Sequence, residues 1–149
     1  MRSFGPLILS LIGTATTGFA ARPSSADSSV VVSLTKETFY DYMEEHPLVL
    51  ANFYAPWCRW SKDLAPKFEV AAEELRQENI PLVKIDCTQE EDLCAEFKIP
   101  GYPTMKVFRG PESHEPYGGS RHPESIISYM IDESVSSDDG SVFHIQSDY

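Results

Sequence analysis

Leu48-Val49-Leu50-Ala51-Asn52-Phe53-Tyr54 is a nearly continuous apolar run between Pro47 and Ala55-Pro56. A strand with one wet face alternates apolar and polar residues. A short run without alternation belongs to a strand covered on both faces. Helices must therefore lie above and below the sheet that contains it. The remaining patterns supply them. Val30–Leu34 is a β-branched strand, and Thr35 caps a helix to about Glu45 with Phe39, Tyr42 and Met43 on one face. Cys58–Gln77 has helical spacing through Leu64, Phe68, Ala71, Ala72 and Leu75, with Pro66 expected to bend it. Leu82–Asp86 and Thr104–Phe108 read as strands, Glu90–Phe97 as a short helix, and Tyr117–Gly119 as a fifth strand. Pro123 to about Glu133 is the last helix, and Ser134–Gly140 reads as a tail or linker. The order β-α-β-α-β-α-β-β-α predicts one α/β domain with a mixed central sheet flanked by helices.

The chain's 149 residues suit one such domain and are too few for two well-cored ones. With 42% hydrophobic and 23% charged residues it has the composition of a packed chain rather than a disordered one. A net charge of -11 argues against a nucleic-acid or anionic-membrane binder. His46, His114, His122 and His144 are scattered, no Cys/His spacing suits zinc, and no phosphate loop or Gly-x-Ser-x-Gly elbow is present. No metal or other cofactor is implied.

The first residues read as an address rather than as structure. Met1-Arg2 is a short basic start, Leu7–Ile12 is the apolar heart of an uncharged run, and Gly18-Phe19-Ala20 suits a signal peptidase. Residues 1–20 are expected to be a signal peptide and 21–29 a flexible leader. The competing reading, a transmembrane anchor, suffers from the many Ser, Thr, Gly and Pro residues between Ser3 and Ala21. No stable membrane anchor is expected, and the mature chain would enter a compartment where disulfides persist.

Three cysteines then carry the argument. Cys87 and Cys94 lie at a strand end and in the next short helix, and in a secreted chain that spacing suits a local disulfide. Closing so short a loop is worth roughly 2–3 kcal/mol. Two buried free thiols are the alternative. Pairing them leaves Cys58 alone, at the first turn of a helix directly after the buried strand. There it faces free backbone N–H groups, the positive helix end and Arg59, all of which favour thiolate. An inert buried cysteine is the plainer reading of the same position.

The stretch Phe53-Tyr54-Ala55-Pro56-Trp57-Cys58, the helix proline Pro66, Lys84-Ile85-Asp86-Cys87-Thr88 and Gly101-Tyr102-Pro103-Thr104 resemble the thioredoxin-fold domain of the protein disulfide isomerase family. The resemblance runs from about Val30 to Ile131. It implies a thioredoxin fold and a cis proline at Pro103 facing Cys58. It also implies client contact through Trp57, Trp60, Tyr102 and Pro103, and an arginine, Arg121, able to swing toward the site. The Cys87–Cys94 pair matches a structural disulfide found in some members.

The match breaks at two places. Where the family carries its second cysteine this chain has Ser61, and where it usually has a buried Glu this chain has Asn52. Lys84, the usual partner of that Glu, remains, which leads to the expectation of an Asn52–Lys84 hydrogen bond without an ion pair. A hydroxyl cannot attack a disulfide sulfur, so Cys58 lacks an internal resolving thiol. The site is similar to the Cys-Arg-Phe-Ser site of a thiol-retention chaperone in the same family, with Trp60 in place of Phe. The implied activity is monothiol exchange, in which Cys58 forms mixed disulfides with cysteine-containing secretory clients, with glutathione or with a thiol oxidase. Whether this amounts to enzyme catalysis stays open, because a peptide-binding module without redox activity would use the same groove. The implied location is the endoplasmic reticulum lumen or the cell exterior. The domain is expected over residues 30–134, with 135–149 an acidic tail or the start of a further domain.

Overall fold

A computed structural model of the chain describes residues 29–138. The predicted signal peptide, nearly all of the leader and the end of the tail lie outside the described residues. Strand β1 (Val32–Ser33) leads into helix α1 (Lys36–Glu45), then β2 (Val49–Tyr54) and α2 (Arg59–Leu75). β3 (Leu82–Asp86), α3 (Glu91–Glu96), β4 (Thr104–Phe108), β5 (His114–Pro116) and α4 (Pro123–Asp138) follow. The sheet order is β1-β3-β2-β4-β5. β1, β3 and β2 run parallel, while β4 and β5 are antiparallel. This is the thioredoxin fold that the motifs implied, a mixed five-stranded sheet between helices.

The unbroken apolar run of β2 is explained by its place at the centre. Leu50 packs with Leu64, Phe68, Ala71 and Leu75 of α2 and Ile126 and Met130 of α4 on one face. Val49, Ala51 and Phe53 pack with Phe39 and Met43 of α1 and Leu93, Cys94 and Phe97 on the other. Alternate apolar residues thus enter separate half-cores, so these have no wet side to make polar; Asn52 alone interrupts the run.

The helix ends obey local chemistry. At α1 the Thr35 N–H donates to Thr38 Oγ1 at 3.0 Å, so Thr38 completes the capping box. Helix α2 continues across Pro66, which lies on its exposed face. Its last turn tightens over Arg76–Glu78 and stops at Asn79, which takes a left-handed φ of 57°.

Three sequence expectations need correction. β1 is only two residues long: Val32 and Ser33 pair with Val83 and Lys84, whereas the Val30 and Val31 N–H groups donate to the Glu69 carboxylate instead of to a strand. β5 is His114–Pro116 rather than Tyr117–Gly119. Pairing begins soon after the turn at Gly110 (φ 99°), in the register Phe108↔His114 and Lys106↔Pro116. This strand is an exposed edge, where polar residues and a proline are at home, so it carries no apolar signature. Tyr117 packs instead against Tyr129 of α4, ring centroids 4.7 Å apart. Finally, α4 continues through Ser134 to Asp138, so the start of the expected linker is helical.

Candidate active site

The site is assembled where β2 ends. Ala55-Pro56-Trp57 turns the chain out of the sheet, with Cys58 N–H donating to the Ala55 carbonyl at 3.0 Å, and Cys58 then becomes the N-cap of α2. Its thiol is free and partly exposed. From across the site Tyr102 presents its carbonyl oxygen 3.5 Å from Cys58 Sγ. The Tyr102–Pro103 peptide is cis, with Pro103 buried and leading into β4. The sequence could place a proline opposite Cys58 only through the resemblance; the contact makes that placement physical.

The surroundings hold the Cys58 thiol below its ordinary pKa. The largest cause is the Ser61 backbone N–H, joined by the Trp60 N–H, the Ser61 hydroxyl and the positive charge of Arg121, while partial burial acts in the opposite direction. A helix N-terminus does this by aiming unpaired N–H groups at an anion. Arg121 itself is exposed, and its charge reaches the sulfur without a direct bond. Arg59 points outward and lies 3.9 Å from Asp63, so it adds less to the site than its sequence position suggested.

Ser61 is only 3% exposed and accepts a hydrogen bond from the Ala55 N–H at 3.4 Å. It faces inward, in the position a second thiol would need. Trp57 and Trp60 are 68% and 60% exposed and flank Cys58, and Trp57 meets Tyr102 edge to face at 6.0 Å. Cys87 and Cys94 are joined in a disulfide between the end of β3 and α3, both sulfurs within the α1-side half-core.

Behind Ser61 lies a cavity of about 110 Å³ whose walls include Asn52, Lys84, Tyr54 and Glu69. The register pairs Asn52 with Lys84 on neighbouring strands. The expected hydrogen bond to the Asn52 carbonyl is nevertheless absent: Oδ1 is buried and accepts from no group among the described residues. Strand pairing fixes which residues are neighbours and not where flexible side-chain ends meet. Glu69 was missed by sequence reasoning. Its carboxylate takes hydrogen bonds from Ser29 Oγ and from the Val30 and Val31 N–H groups, tying the start of the domain to α2. The available signal was an acidic residue immediately after inward-facing Phe68.

Fold and site together define an α/β protein that presents a single activated cysteine at a helix mouth, opposite a cis proline. The family profile described as Thioredoxin matches residues 30–132. The chain belongs to the thioredoxin family. It is 55% identical over 135 residues to a protein disulfide-isomerase of Aspergillus niger, covering 91% of this chain and 25% of the relative. It is 53% identical over 135 residues to that of Aspergillus oryzae, covering 91% and 26%. Among solved structures, human ERp44 superposes with a TM-score of 0.67 at 30% identity, covering 76% of this chain and 32% of that one. The chain thus spans about a quarter of the length of these curated relatives.

Proposed function

We propose that the chain performs monothiol thiol–disulfide exchange of the protein disulfide isomerase type, with Cys58 forming mixed disulfides with cysteine-containing client proteins. The observation that carries this reading is a free, partly exposed sulfur with a lowered pKa beside a buried hydroxyl. In the first step the Cys58 thiolate attacks a client disulfide. One Cys58–client S–S bond forms, the client S–S bond breaks, and the second client sulfur leaves as thiolate. In the return step a client thiolate attacks the mixed disulfide and expels the Cys58 thiolate. No electrons are gained or lost overall, so the outcome is reshuffling or thiol-mediated retention rather than net oxidation. Ser61 cannot cut the adduct short. Glutathione or a thiol oxidase would enter through the same bond exchange.

The exposed indoles of Trp57 and Trp60 and the ring of Tyr102 form the proposed client-facing surface, with the backbone before Pro103 as its extended edge. The secretory setting rests on residues 1–20 and on the relatives named protein disulfide-isomerase. No described helix is long and apolar enough to cross a membrane.

The test is non-reducing mass spectrometry of the protein trapped from secretory cells. A client or glutathione adduct on Cys58, released by reductant and lost in Cys58→Ala, is expected. Absence of any adduct, together with no alkylation at neutral pH, would overturn the proposal. The exposed tryptophans favour a second reading, a peptide-holding module in which the sulfur is incidental. Full client binding by Cys58→Ala would select it.

A further inference from the structure

The cavity behind the first turn of α2 contains a contradiction that packing does not resolve. Asn52 is 4% exposed, and its Oδ1 is wholly buried without a hydrogen-bond donor. Buried amide oxygens are nearly always satisfied, by protein or by ordered water. Within the same walls stand Ser61 and Lys84, the latter paired in register with Asn52 but not bonded to its oxygen. Glu69 is already engaged by Ser29, Val30 and Val31. Two polar groups facing one space beyond direct reach are the usual setting for a bridging water.

We propose that this cavity is a resident water site, in which water bridges Asn52 Oδ1, Lys84 Nζ and Ser61 Oγ and so braces the Ser61 hydroxyl from behind. A water here donates one O–H to Asn52 Oδ1 and the other to Ser61 Oγ, and it accepts from the Lys84 ammonium. That makes three partners, the number typical of buried water. The volume of about 110 Å³ is well above the roughly 10–15 Å³ that one ordered water needs.

Ser61 Oγ already accepts from the Ala55 N–H, and its hydroxyl is one of the groups favouring the Cys58 thiolate. A water donating to the same oxygen polarises that O–H toward the sulfur. This effect on Cys58 rests on the proposed thiolate reading, whereas the water site itself does not.

The experiment pairs a crystal structure fine enough to show ordered water with NMR detection of water–amide cross-relaxation at the Asn52 side chain. Water within hydrogen-bond distance of Asn52 Oδ1, and a cross-peak to its amide protons, are expected in the unaltered chain. Asn52→Leu, similar in size but without the acceptor, should lose the bridging water and alkylate Cys58 about twofold more slowly at neutral pH, the scale of a ~10–30% weakening of one charge-assisted bond. Lys84→Met serves if Asn52→Leu does not fold, and should weaken the density and the cross-peak. A dry cavity, or Lys84 Nζ bonded directly to Asn52 Oδ1, would overturn the site. Loss of the water with an unchanged alkylation rate would overturn its link to Ser61, leaving the assignment of Cys58 chemistry to its own test.

Discussion

At the scale of single residues the site is a contest over one sulfur. The Ser61 N–H, the Trp60 N–H, the Ser61 hydroxyl and Arg121 favour the anion, and partial burial opposes it. Alkylation of Cys58 should therefore persist to lower pH than for a free cysteine and fall as pH drops through the lowered value, not through ~8.5. Arg121→Gln should move that midpoint upward. A pH series of iodoacetamide rates measures both, and an ordinary midpoint in the unaltered chain would refute the first claim. Ser61→Cys supplies the absent resolving thiol, so a glutathione adduct that endures on the parent should collapse to an internal disulfide, seen as faster glutathione release. The restoration should be partial, since Asn52 offers no carboxylate to take up the second proton. Much of this was legible in the sequence: a cysteine after a buried strand, a serine three positions on, a proline before a later strand. The missing Asn52–Lys84 bond was not, because strand register fixes which residues are neighbours and leaves the reach of long side chains open.

Elements read best where one physical cause dominates. β2 needed two covered faces and α1 needed a cap, so both were evident from composition and position. β5 was misplaced because an edge strand has no hydrophobic demand to announce it; its neighbours hold it instead, through Arg109 paired with Glu115 at 2.7 Å and with Glu133 of α4. The Cys87–Cys94 disulfide fastens the end of β3 to α3. Replacing both cysteines by alanine should cost roughly 2–3 kcal/mol, read as a lower urea midpoint, with Cys58 alkylation unaffected. Glu69→Gln should loosen the short β1 segment selectively. Faster amide exchange at Val30 and Val31, with β2 amides unchanged, is the expected pattern, and uniform acceleration across the sheet would show a global effect instead.

For the whole molecule, two half-cores share one sheet, and the site sits at the rim where β2 leaves it. Because folding lowers the Cys58 pKa, the folded state holds fewer protons there than the unfolded chain. The resulting stability is complete above the ordinary thiol value and is lost as pH falls through the folded value. Cys58→Ser should flatten that portion of the pH–stability curve, measured by urea unfolding at a series of pH values. The placement of the other two sulfurs has a further consequence. If Cys58 opens disulfides as proposed, the chain carries one such bond of its own, and Cys87 and Cys94 are 4% and 6% exposed. Enclosure makes that internal bridge a poor target for Cys58 of a neighbouring copy. Copies crowded together would then leave one another's internal bridge intact.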